Sequence, residues 1–280
     1  MKSIFIFLVC VLSSSLAAKD AHFIAVKQSN LLHLELKHGV VTIRLADELA
    51  PRHSEYIRNL VNEGFYDGLP WYRNVENFVF QAGDPMQSKT SKVKQSMNAE
   101  FEWSISKDKL FTLVQSPDIL AEQTGYINGF AVGRSISENK EWLVHCPGTI
   151  NLARGNDANS GTTDFAILYG VSPRHLDRNM SVFAQVIDGW DVLYKLKRGV
   201  FEDLNQADKI IKAYMGSSLP ASKQMTYMIE NTNSDEYKQR IAERRLFEHD
   251  FFKHQGNGNL DVCYVKPQVK LKASPQLTTK

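Results

Sequence analysis

Short apolar runs, each closed off by glycine, asparagine or proline before a long helix could form, restrict most what this chain can fold into. Leu32-His33-Leu34-Glu35-Leu36 and Val40-Val41-Thr42-Ile43-Arg44-Leu45 show strand composition with partial alternation, and Lys37-His38-Gly39 between them predicts a hairpin. Leu69 to Gln81 is rich in aromatic and β-branched residues and stops at the turn formers Ala82-Gly83-Asp84-Pro85, so most of it reads as strand. Gly148 to Ala153, Asp164 to Tyr169 and Ser181 to Ile187 read as further short strands. Several strands and few helices suggest a closed β-barrel.

Helical signals are sparse. Pro51 suits a first helical turn, Ile57, Leu60 and Val61 form an apolar stripe, and Gly64 suits a left-handed helix end, which predicts a helix from Pro51 to Glu63. Trp190 to Leu196 reads as a second short helix and Asp235 to Phe247 as a later one. Met86 to Pro147 begins polar and then carries Phe111-Thr112-Leu113-Val114, Tyr126-Ile127 and Trp142-Leu143-Val144 among loop-like residues, so a long, partly ordered insertion is expected. Beyond Val200, Ile210-Ile211 is strand-like and Gly256-Asn257-Gly258 predicts a terminal hairpin.

Lys2, the apolar run Ile4 to Leu12 and the small residues up to Ala18 follow the order of a secretory signal peptide spanning residues 1–18. That run is too short to span a bilayer, and no later stretch approaches about 20 consecutive apolar residues. An exported protein, periplasmic or secreted and not inserted in a membrane after signal removal, is therefore expected. Cys10 should leave with the signal. Cys146 and Cys263 remain, and in an oxidising compartment they read as one disulfide, with two separately buried thiols as the alternative.

The net charge of +2, with acids and bases interleaved, shows neither a nucleic-acid tract nor a polybasic membrane patch. His22, His33, His38 and His53 lack the spacing of a metal site, so no metal and no cofactor are expected. His145 beside Cys146 does not by itself make an activated thiol pair. Lys238, Arg240, Arg244 and Arg245 read as the solvated face of the late helix.

The segment Trp71-Tyr72-Arg73-Asn74-Val75-Glu76-Asn77-Phe78-Val79-Phe80-Gln81-Ala82-Gly83-Asp84-Pro85 resembles the cyclophilin signature of Phe-His-Arg, a spacer, Phe, a second spacer and Gln-Gly-Gly-Asp, with its spacing unbroken. Gly39 to Leu45, Ala50-Pro51 and Gly64-Phe65-Tyr66-Asp67-Gly68 upstream resemble blocks of the same family. So do Gly148 to Arg154, Ser160 to Phe165 and Leu176-Asp177 to Val182-Phe183 downstream. His145-Cys146-Pro147-Gly148 and Leu260-Asp261-Val262-Cys263 are similar to segments of a bacterial branch that carries a long insertion and a C-terminal extension.

The resemblance implies a mainly β protein, an eight-stranded antiparallel barrel capped by two helices, with an outer groove for Xaa-Pro peptides. That domain would span 30–199 with an insertion at 86–147, followed by a small α+β extension, 200–280, packed on the barrel. It also implies a monomeric peptidyl-prolyl cis-trans isomerase whose partners are proline-containing polypeptides. At the twisted transition state the prolyl nitrogen regains a lone pair, and a guanidinium there would favour the twisted form. By resemblance that guanidinium is Arg73, Phe78 is a wall for the proline ring and Gln81 holds the peptide. Val79, Ala153, Asp164, Phe165, Ala166, Leu176 and Met180 would line the substrate site.

Four positions depart from the pattern. Tyr72 stands where relatives carry histidine, Asp164 where they carry glutamine, Ala166 where they carry a second phenylalanine and Met180 where many carry histidine. Ala166 should widen the proline pocket, and Asp164 either pairs with and orients Arg73 or is a solvated carboxylate at a loop edge. A cyclophilin-like binding or chaperone module with weak turnover is the rival function.

Overall fold

The computed structural model describes residues 22–171, 173–247 and 249–272, so the expected signal peptide, its cleavage site and Cys10 lie outside the described residues. The largest sheet is antiparallel and has nine strands. Their order is Gly199–Val200, Arg73–Val75, Val79–Ala82, Phe165–Leu168, Thr149–Leu152, Val182–Asp188, Gly39–Leu45, Leu31–Leu36 and Lys212–Met215. Its two edges curl towards each other. The chain before Arg73 meets the chain before Lys212 through Gly68 N–H to Ile210 O at 2.7 Å, Trp71 N–H to Asp208 O at 2.8 Å and Ile210 N–H to Leu69 O at 2.9 Å. The mainly β fold class stands as expected, and the two-residue strand Gly199–Val200 is an addition to the eight anticipated.

Alternation decides what fills the inside. Phe80, Ala82, Phe165, Ile167, Ile150 and Leu152 belong to the main buried core, together with Leu34, Ile43 and Phe183. The first helix, α1, spans Pro51–Asn62 and buries Tyr56, Ile57, Leu60 and Val61 against that core. Gly64 ends it with φ +68°, the left-handed conformation its lack of a Cβ permits. A second helix, α2, is confined to Trp190–Leu193 and is shorter than expected, although Leu196 beyond it is still buried.

Three local expectations need correction. Residues 69–81 do not form mostly one strand, because the chain reverses between Arg73–Val75 and Val79–Ala82, with Asn77 at φ +56° in the turn. No hairpin forms at Gly256–Gly258: the last described strand, Val269–Lys272, pairs instead with Thr226–Glu230, which also pairs with Phe23–Ala25. The strand near Ile210-Ile211 is Lys212–Met215.

The segment 86–147 is also more ordered than its composition suggests. It contributes Trp103–Ser104, Thr112–Gln115, Gln123–Ile127, Phe130–Ser135 and Lys140–Leu143 to a separate five-stranded antiparallel sheet. One face of that sheet packs on the C-terminal region, where Val114, Tyr126, Trp142 and Val144 meet Tyr237, Ile241, Leu260, Val262 and Val265. Tyr237 and Ile241 come from a third helix, α3 (Asp235–Leu246), whose Ser234 cap accepts the Tyr237 N–H at 3.2 Å. Cys146 and Cys263 lie in this second core and are joined by a disulfide. A third cluster, Val26, Leu31, Ile187, Tyr227 and Ile229, ties the C-terminal strands to the barrel.

Candidate active site

Because Phe80 and Phe165 point inward, their neighbours Val79, Gln81 and Ala166 point outward. Arg73 pairs across the ladder with Gln81, Gln81 with Ala166, and Ala166 with Asn151, so these residues form a row over the outer face of four strands. Beside it Val79, Ala166 and Leu168 form a small apolar cluster, against which Val75 and Phe78 pack. The Arg73 guanidinium carbon lies 5.3 Å from the centre of the Phe78 ring.

Arg73 is held by a chain of hydrogen bonds. Its Nη1 donates to Gln81 Oε1 at 3.2 Å, Gln81 Nε2 donates to the Tyr72 hydroxyl at 2.5 Å, and that hydroxyl donates to Asp164 Oδ2 at 2.7 Å. Each donor in such a chain polarises the next. Asp164 therefore reaches Arg73 through Tyr72 and Gln81, and among the described residues no ion pair joins Asp164 to Arg73 directly. The second Asp164 oxygen accepts the Asp84 N–H at 2.7 Å. Gly83 makes that approach possible, since at φ +145° a Cβ there would lie 2.2 Å from Asp164 Oδ1.

Burial raises the Asp164 carboxyl above its ordinary pKa, a rise that the bonds from Tyr72 and Asp84 only partly offset. Burial, with the Asp164 charge adding to it, likewise raises the Tyr72 phenol, which keeps its proton as a donor. Gln81 differs from its expected role in one respect. Both ends of its amide serve the relay, leaving one N–H for a peptide.

The other expected residues are more dispersed. Phe165 belongs to the inner core and supports the row from beneath. Ala166 is 7% exposed and lies among Val79 and Leu168. Ala153 is half-buried at the strand end and its N–H donates to Asp164 O at 2.7 Å. Leu176 ends a short 3-10 turn, Arg174–Leu176, and Met180 precedes the strand Val182–Asp188; both are half-buried and outside the apolar cluster.

Next to Leu176, Asp177 accepts the His145 N–H at 2.8 Å and Arg174 Nε at 2.6 Å, and it pairs with His145 Nδ1 at 3.0 Å. Burial alone would raise the Asp177 carboxyl, but these partners outweigh it and hold the group below its usual pKa. Two participants escaped sequence reasoning. Tyr72 registered only as a departure, and Asn151 appeared only as a strand residue, yet it is buried in the row and its Oδ1 has no hydrogen-bond partner among the described residues. Alternation between Ile150 and Leu152 was the signal that could have placed Asn151 on the outer face.

An antiparallel barrel with a row of polar and apolar side chains on its outer face is the class of architecture that the fold and the site define. Comparison with known proteins narrows the class. The family model described as "Cyclophilin type peptidyl-prolyl cis-trans isomerase/CLD" matches residues 31–215. A protein of Brucella suis named "Probable peptidyl-prolyl cis-trans isomerase" is 29% identical over 192 residues, covering 68% of this chain and 84% of that one. "Peptidyl-prolyl cis-trans isomerase-like 3" of Gallus gallus is 28% identical over 169 residues, covering 60% of this chain and 80% of its own. The crystal structure of a cyclophilin from Hirschia baltica shares the fold with a TM-score of 0.76 at 24% identity, over 96% of this chain and 100% of that one. The chain belongs to the cyclophilin-type peptidyl-prolyl cis-trans isomerases.

Proposed function

We propose that this isomerase turns Xaa-Pro bonds of exported proteins by holding the Arg73 guanidinium against the prolyl nitrogen of a twisted amide. The observation that carries the reading is the relay from Asp164 through Tyr72 and Gln81, which fixes the direction in which Arg73 presents its remaining donors. Rotation about a peptide bond faces a barrier of about 18–20 kcal/mol, and an uncatalysed Xaa-Pro bond takes tens to hundreds of seconds. Reaching milliseconds needs a gain of about 5.5–7 kcal/mol. A donor that bonds strongly only to the pyramidal nitrogen supplies differential stabilisation without a covalent step.

Phe78, Val79 and Ala166 take the proline ring in this reading, and the segment carrying Leu176 and Met180 closes its side. The protein acts as a monomer outside the cytoplasm, in a periplasm or secreted. The signal-peptide order of residues 1–18 and the Cys146–Cys263 disulfide both support that location. The domain 30–199 with its insertion 86–147, and an extension 200–280 that lends the strand Lys212–Met215 to the barrel, are proposed as its organisation.

The test is cis-trans exchange of Xaa-Pro peptides followed by NMR with the signal-free protein. Exchange accelerated by wild type and lost in Arg73→Ala supports the reading. Peptide binding without acceleration would replace it with the binding module, which the substitutions at Asp164, Ala166 and Met180 favour.

A further inference from the structure

The inserted sheet brings two large aliphatic side chains into water at one place, Ile119 at 95% exposure and Leu120 at 51%. Both lie in the turn between Thr112–Gln115 and Gln123–Ile127. Single exposed apolar residues need no explanation, but this turn is fixed from several sides. The Asp118 carboxylate accepts the Leu120 N–H at 3.0 Å and the Thr124 hydroxyl at 3.3 Å, while the Asp118 N–H donates to Ala121 O at 3.1 Å. Gln115 Nε2 donates to Pro117 O at 3.1 Å.

The strongest anchor comes from across the molecule. Arg174 Nη2 meets Asp118 Oδ1 at 3.0 Å, with side chains only 10% and 5% exposed, and the same guanidinium holds Asp177 at 2.6 Å. An ion pair removed this far from water adds little net stability, so its effect is chiefly to fix position. What it fixes is the placement of Ile119 and Leu120 relative to the turn that ends in Leu176.

That turn borders the row of site residues for a topological reason. Beyond Leu168 the chain passes the hairpin turn, where Tyr169 N–H donates to Phe78 O at 3.0 Å, and it must return to Val182, which lies opposite Asn151 and through it Ala166. Core side chains fill the inside, so the connection runs outside, over the margin of the row.

We propose that Ile119 and Leu120 form the far lip of the peptide groove and select substrates with an apolar side chain a few residues from the prolyl bond. The inference rests on the isomerase reading of the row. The occupant is a further part of the same extended polypeptide whose proline lies against Phe78. An extended chain advances about 3.3 Å per residue, so the register at which an apolar side chain is preferred measures the span from the proline to the lip. A pair already held in place loses little freedom when it is covered, which favours its use in binding.

The test uses serine- and glycine-based peptides, each with one central Ala-Pro bond and a single leucine walked through the flanking positions on either side. At one register, leucine is expected to raise kcat/KM about tenfold over the leucine-free peptide, mainly through KM. The double variant Ile119→Ser/Leu120→Ser should lose that preference while turning over the leucine-free peptide as before. Calorimetric titration of the same peptides reads the preference independently of turnover. A leucine preference in binding with no acceleration of exchange would uphold the lip and sink the isomerase reading. Equal affinity and equal kcat/KM at every position, or a preference that survives in the double variant, would overturn the lip.

Discussion

Arg73 differs from a merely exposed arginine in that its direction is set through Gln81 by the Tyr72 and Asp164 side chains behind it. Arg73→Ala is expected to lower kcat/KM by about 10²- to 10³-fold, the usual loss for one transition-state donor, with an unchanged circular dichroism spectrum because the side chain lies outside the core. Arg73→Lys should recover little, since an ammonium cannot bond Gln81 and the prolyl nitrogen with one planar fork. Asp164 gives the site a pH dependence that rotation about an amide does not itself require. Its folded pKa is raised by burial, so as pH falls the carboxylate takes up a proton earlier than an ordinary aspartate and stops being a pure acceptor for Tyr72. Steady-state rates should fall on the acid side, with an inflection above the usual aspartate value. Asp164→Asn should flatten that limb, and an unchanged inflection in the variant would assign it elsewhere.

At the scale of elements, the segment beside the row depends on one buried carboxylate. Removing Asp177 leaves the His145 N–H without it and Arg174 with Asp118 alone, so Asp177→Ala should cost about 1–3 kcal/mol in urea unfolding. The pKa shift is opposite in direction to that of Asp164, although both contributions are lost on the acid side. The folded Asp177 pKa is depressed, so its contribution is present above the ordinary aspartate value and is lost as pH falls through the lower folded one. Much of this level was legible in sequence. Pro51, the Ile57-Leu60-Val61 stripe and Gly64 locate α1 because they are local signals, and the spacing from Arg73 to Gln81 survives as a ladder pair across a tight turn. The inserted sheet was not legible, because Val114 and Trp142 find their apolar partners at Tyr237, Ile241 and Val262, more than 90 residues away. The role of Tyr72 was hidden for the same reason: its partner Asp164 is 92 positions distant.

For the whole molecule, the disulfide joins residues 117 positions apart and so closes the inserted sheet onto the extension. In the chain-entropy description a loop of that size contributes about 4–5 kcal/mol. A Cys146→Ser/Cys263→Ser variant should therefore unfold at clearly lower urea than the oxidised protein and match the reduced protein. Identical midpoints would show that the second core holds without its link. The shared core also sets an order of assembly. A ribosome delivers the inserted strands long before Tyr237, Leu260 and Val265, so Val114, Tyr126 and Trp142 stay uncovered until those residues have been made. Early in that interval the nascent protein displays an unfinished greasy sheet beside a barrel that still lacks its last strand, Lys212–Met215, and later beside a barrel that has it. A stop codon placed shortly after that strand would complete the barrel yet leave the sheet permanently bare, turning a transient hazard of synthesis into a standing site for clumping.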